Sequence, residues 1–147
     1  MRFRYPLQKI VDLKGSEKSM AEWEYAASLG HLRNEEEKMR QLLEERRSVE
    51  DQLAAAASNP VPLAELTSLQ QYLDVMAARI RDQAGRIKSA EDQVRLKREG
   101  LIAKSVDEKV WLNARNKAYE AFRYEWMVKQ QNELDEIAMV RSSALRA

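Results

Sequence analysis

Counted forward from Leu66 in alternate steps of three and four, the chain presents Leu66, Leu69, Leu73, Met76, Ile80, Gln83, Ile87, Ala90 and Val94. Eight of these nine are apolar, the spacing of a helical stripe that buries itself against a second helix. The positions between them are charged: Asp74, Arg79, Arg81, Asp82, Arg86, Lys88 and Glu91. Gln83 is the polar exception, of the kind that fixes register at some cost in stability. A matching frame precedes it, through Ala21, Tyr25, Ser28, Leu32, Glu35, Met39, Leu42, Arg46, Val49 and Leu53, seven of ten apolar. Leu7, Ile10 and Leu13 form a shorter stripe ahead of that. Beyond Lys97 the regular frame deteriorates. A different stripe follows, Tyr119, Phe122 and Trp126, with Leu112 one heptad earlier and Ile137 and Val140 further on.

Pro6, Pro60 and Pro62 are the chain's three prolines, and proline breaks a helix by lacking an N–H and clashing with the preceding turn. The long intervals between them are rich in Ala, Leu, Glu, Lys, Arg, Gln and Met, the strongest helix formers. The prediction is therefore all-α: an antiparallel coiled-coil hairpin as one domain over residues 1–147. Its helices run over about 7–57 and 63–141, with a turn at 58–62, the second helix longer than the first. Gly15-Ser16 reads as a kink or second helix start, and Gly30-His31 as a soft point. At ~1.5 Å per residue the arms would span ~75 Å and nearly ~120 Å, placing Leu7 opposite roughly residue 113 and leaving about thirty C-terminal residues overhanging. The aromatic stripe is read first as packing on Phe3, Tyr5, Trp23 and Tyr25, and, compatibly with that, as a docking face, since aromatics concentrate at binding hot spots.

Composition narrows the function. Charged residues are 33% of the chain, aromatics 7%, and glycines four, a coiled-coil profile rather than a globular one. The 25 basic and 24 acidic residues nearly cancel, whereas nucleic-acid binders need a basic surplus to displace phosphate counterions. Local basic patches (Arg95, Lys97, Arg98; Arg2, Arg4) read as solvated helix faces rather than as nucleic-acid or membrane-surface sites. With no cysteine, there is no thiol nucleophile or disulfide framework. No apolar run reaches the ~20 residues of a membrane span, and Met1 to Pro6 lacks the apolar core of a signal peptide. A soluble, cytoplasmic protein is expected. The isolated glycines form no phosphate-cradling loop, and the single His31 has no His or Cys beside it to share a metal. Glu36 with Arg40 is the sort of pair the acidic runs would make along a helix. No catalytic residue, metal site or cofactor is expected, and an interaction protein is favoured over an enzyme.

Three local signatures add a family. Phe3-Arg4-Tyr5-Pro6-Leu7-Gln8-Lys9-Ile10-Val11-Asp12-Leu13-Lys14, followed by Glu17, resembles the start of the bacterial flagellar export protein FliJ family. Glu133-Leu134-Asp135-Glu136-Ile137-Ala138, followed by Arg141, resembles that family's C-terminal stretch. Gln70-Gln71-Tyr72-Leu73, with Met76 and Ile80 after it, resembles a segment just past the family's hairpin turn.

The resemblance implies a non-enzymatic component of the flagellar type III export apparatus, similar in shape to a rotary-ATPase stalk. Such proteins insert their terminal helices into the hexameric export ATPase and promote its assembly and hydrolysis. They also contact the linker of the export-gate membrane protein and bind export chaperones. By position, the export-gate face would be Tyr72, Met76, Arg79 and Gln83, although Arg79 and Gln83 depart from the family's residues there. Met76 and Gln83 also lie on the predicted seam, and for Met76 the core reading is favoured. The ATPase-ring-binding end would be Leu7, Lys9, Ile10, Leu13 and Lys14 with Leu134, Asp135, Glu136 and Arg141. Simple packing of the apolar members and solvation of the charged ones are equally good readings. The alternative function is a self-associating structural coiled-coil scaffold.

Overall fold

The computed structural model describes residues 2–146. Two helices form, α1 at Gln8–Ser58 and α2 at Leu63–Arg146, with no strand among the described residues. The fold is all-helical, and the second helix is the longer, as the pattern predicts. Pro6 stands just ahead of α1, where the missing N–H costs nothing; the Tyr5 carbonyl accepts from the Gln8 amide at 3.1 Å. Ser58 ends α1, Pro60 and Pro62 occupy the connection, and the Pro62 carbonyl accepts from the Glu65 amide at 3.0 Å as α2 begins. α2 continues to Arg146, five residues past the predicted 141. No helix among the described residues is long and apolar enough to cross a membrane.

Gly15-Ser16 and Gly30-His31 interrupt nothing. α1 is continuous through both, and no described glycine takes positive φ. A glycine costs a helix interior ~1 kcal/mol, too little to break one whose flanking turns are tied down on both sides.

By contacts the described residues divide into two compact units: a hairpin unit, Ala21–Leu101, and a terminal unit, residues 2–20 with 102–146. In the hairpin unit the two helices lie antiparallel, with Glu45 meeting Tyr72, Glu35 meeting Gln83 and Glu24 meeting Lys97. Every residue of both predicted frames within it is buried or half-buried. Met76 is wholly inaccessible, and Val49 and Ala90 are buried with it. The buried polar residues are Glu35 and Gln83, and they satisfy each other. Gln83 Nε2 donates to the Glu35 carboxylate and, at 2.9 Å, to the Glu35 backbone carbonyl. No buried side-chain polar atom lacks a partner among the described residues.

In the terminal unit the helices are again antiparallel, and ion pairs cross between them beside half-buried apolar residues such as Ile10 and Leu112. Lys14 Nζ lies 2.9 Å from Asp107, Lys18 3.3 Å from Glu108, and Lys104 3.3 Å from Glu17. Arg115 Nε donates to Gln8 Oε1 at 2.7 Å. Val11 is the buried apolar residue of this unit.

Candidate functional site

The candidate residues read from the sequence are divided between the two units. In the terminal unit, Phe3 comes just before α1 and lays its ring against α2. Its centroid is 5.3 Å from those of Tyr119 and Phe122, edge-on to the first and tilted to the second, with Tyr5 stacked 6.5 Å from Phe3. The expectation that the aromatic stripe packs on the N-terminal aromatics is met by Phe3, on which Tyr5 in turn stacks. Trp23 belongs to the hairpin unit and is 79% exposed. It sits two residues past Ala21 and two before Tyr25, both seam positions, which turns it to solvent on a helix of 3.6 residues per turn.

Beyond Phe122, every described residue of α2 from Arg123 to Arg146 is exposed. Leu134, Asp135, Glu136 and Arg141 lie on this uncovered helix. On α1 of the same unit Lys9 and Leu13 are exposed, Leu7 is partly so, and Ile10 and Lys14 are half-buried. Leu13 lies opposite buried Val11 around the helix, which keeps it 55% exposed. Lys14 faces α2, and its hydrogen bond to Asp107 raises its pKa and keeps it cationic. Gln8 of α1 meets Arg115 of α2, so Leu134, Asp135, Glu136 and Arg141 lie well beyond that contact along α2, and the structure does not bring them together with Leu7, Lys9, Ile10, Leu13 and Lys14: the candidate residues form two separate patches, each mixing apolar and charged groups.

The hairpin-unit surface is split between seam and solvent. Met76 is 0% and Gln83 6% exposed, so both face the partner helix. Arg79 is exposed, one turn from each, and lines a shallow groove with Leu42, Glu45 and Asp82. Tyr72 is half-buried and its hydroxyl donates to the Glu45 carboxylate, which raises the phenol's pKa. Of the four residues named for this face, Arg79 and the edge of Tyr72 are presented outward. Sequence reasoning missed Glu45 as the group that positions Tyr72; an acidic residue on the other arm carried no signal of its own. His31 is exposed, and no three His, Cys, Asp or Glu residues among those described gather as a metal site requires.

These features define an all-helical protein built on two long antiparallel helices. Comparison with known proteins supplies the family. The profile described as "Flagellar FliJ protein" matches residues 3–145, and the chain belongs to that family, non-catalytic components of the flagellar type III export apparatus. The flagellar FliJ protein of Bacillus subtilis (strain 168) is 22% identical over 139 residues, 95% of each chain. Among solved structures, CT670 from Chlamydia trachomatis, described as a YscO homolog, is similar with a TM-score of 0.57 at 19% identity, over 99% of this chain and 98% of that one. At that identity the likeness speaks for the fold alone.

Proposed function

We propose that this chain docks with its terminal unit in the hexameric flagellar export ATPase and promotes that enzyme's assembly and hydrolysis. The observation that carries the reading is the exposed mixture in the terminal unit of a chain matched to the flagellar family over 3–145. Leu13 at 55% and Leu134 at 59% exposed are apolar residues with nothing over them. Lys9 lies one turn from Leu13, while Asp135, Glu136 and Arg141 accompany Leu134 on α2, so each of the two patches carries charged neighbours. Leu7, Ile10 and Lys14 complete the α1 patch. Apolar contact supplies affinity there, while mixed charge orients without locking.

The hairpin unit then meets the linker of the export gate through Arg79 and the edge of Tyr72, with Met76 and Gln83 shaping that face from within the seam. Export chaperones are further partners. The protein works in the cytoplasm, peripheral to the membrane-embedded apparatus. The test is ATP hydrolysis by the cognate export ATPase across a concentration series of this chain. The expected result is a saturable rise that Leu13→Gln with Leu134→Gln abolishes while circular dichroism stays unchanged. A flat response to the folded wild-type chain overturns the reading.

A further inference from the structure

The uncovered part of α2 carries a site shaped for another helix. Tyr119, Phe122, Arg123 and Trp126 line a depression of about 260 Å³. They stand at i, i+3, i+4 and i+7 of one helix, the four-residue hole that receives a single side-chain knob in a coiled coil. Phe3 touches two of its walls but does not line it. Beyond this hole the same side of the helix carries Ile137 and Val140, 53% and 68% exposed, with polar Gln130 and Glu133 between them and the hole, and Met127 and Leu134, 55% and 59% exposed, along one flank. This side is continuous with the face of Tyr119 and Phe122 on which Phe3 already packs.

We propose that the occupant is the same segment of a second copy, antiparallel across a two-fold axis between residues 131 and 132. Val140 of each copy is then the knob for the other's hole, and Trp126 meets the second copy's Ile137. Met127 meets Leu134 along one flank. Along the other, Lys129 faces Glu136 twice, once on each side of the axis. Neither residue has an ion-pair partner among the described residues, whereas Lys14, Lys18 and Lys104 all find theirs on the opposing helix of this unit. An antiparallel arrangement juxtaposes like heptad flanks, so opposite charges at 129 and 136 are self-complementary in this orientation. The same register sets Gln130 against the second copy's Glu133. That pairing has a precedent inside the molecule, where Gln83 donates to Glu35 in the buried seam.

The overlap, residues 123–140, is about 27 Å long at ~1.5 Å per residue. This is a small interface, so the dimer should be weak and concentration-dependent. It uses the face that carries Leu134, Glu136 and Arg141, so pairing and ring docking would exclude one another; the pairing itself does not depend on that function.

The experiment is sedimentation equilibrium of the full chain from about 10 μM to about 1 mM, a range set by the weakness of small interfaces. A 17.1 kDa monomer giving way to dimer is expected. Lys129→Glu and Glu136→Lys singly should each weaken association roughly tenfold, since each sets two like-charge pairs in contact. Lys129→Glu with Glu136→Lys together should restore it, and Trp126→Ala should remove it. All these positions are exposed, and unchanged helicity by circular dichroism confirms that each variant folds. A monomer throughout the range overturns the inference. So does a dimer that survives Trp126→Ala, or one that the double reversal fails to rescue.

Discussion

The hairpin and terminal units use the same two helices and hold them together by different physics. In the hairpin unit the seam is apolar around Met76, Ala90 and Val49, with one satisfied Gln83–Glu35 pair. In the terminal unit Val11 is buried and the helices meet through Lys14–Asp107, Lys18–Glu108 and Lys104–Glu17. Apolar burial contributes ~25 cal/mol per Å², whereas partly exposed ion pairs contribute little and are screened by salt. The hairpin unit should therefore anchor the fold. The terminal unit, where the proposed docking surface lies, should open more readily.

The sharpest way to break this contrast is to make matched truncations in both units. Met76→Ala empties a fully buried site and should cost about 2–5 kcal/mol. Ile137→Ala, on the uncovered helix, should change stability by less than about 0.5 kcal/mol. Urea unfolding followed by circular dichroism measures both. Equal costs would mean that the uncovered segment is packed after all.

Next in size is the buried polar pair. Gln83→Ala removes both hydrogen bonds that Gln83 makes in the seam, a loss of about 1–3 kcal/mol. Changing Glu35 and Gln83 together to Leu should cost less than Gln83→Ala alone, because no polar group is then left without a partner. The pair also carries a pH signature. The Gln83 hydrogen bond, aided by Lys38, lowers the Glu35 pKa below its ordinary value. Its stabilisation is thus fully present above the usual carboxylate range and is lost as pH falls through the folded-state value. Urea midpoints at neutral pH and at about pH 3 should differ less in Gln83→Ala than in the wild type. An unchanged difference would remove Glu35 as a source of the acid dependence.

Amide hydrogen exchange gives the residue-level form of the comparison. Protection should be highest around Met76 to Ala90 and lower along α2 beyond Ile102, falling further past Phe122, where no second helix covers the backbone. Raised salt should lower protection in the terminal unit more than in the hairpin unit. Uniform protection along α2 would contradict the division of labour.

The sequence made the hairpin unit legible for the reason that makes it stable. Its frames name residues that the structure buries or half-buries at every position, including polar Ser28, Glu35, Arg46 and Gln83. An unbroken three-four period carries such residues along with their apolar neighbours. Past Lys97 the period fails as a guide because the inward positions Ser105, Glu108 and Arg115 are polar and half-buried. Hydropathy cannot tell an ion-pairing seam from a solvated face. The aromatic stripe was readable as a cluster, but the hole among Tyr119, Phe122, Arg123 and Trp126 needed coordinates. Of the residues assigned by family resemblance to the gate-facing surface, the seam rule already conflicted with Met76 and Gln83, and burial places both inward.

The smallest predicted effect tests how closely the helices are held in each unit. Gly85 of the hairpin unit is exposed, and a Cβ built there meets nothing within 4 Å. Gly85→Ala should stabilise by about 0.5–1 kcal/mol through helix propensity alone. At Gly15 of the terminal unit the same Cβ would lie 3.3 Å from Glu108 Oε2, on the carboxylate that also binds Lys18. That oxygen ends a rotatable chain and can retreat by a few tenths of an ångström, at some expense to the Lys18 contact. Gly15→Ala should therefore stabilise by less than Gly85→Ala, with thermal unfolding of the two variants as the measurement. An equal gain would show that Glu108 moves freely and that the ionic seam constrains little. A net loss would show a terminal unit held as tightly as the hairpin unit, and the contrast between them would have to be drawn elsewhere.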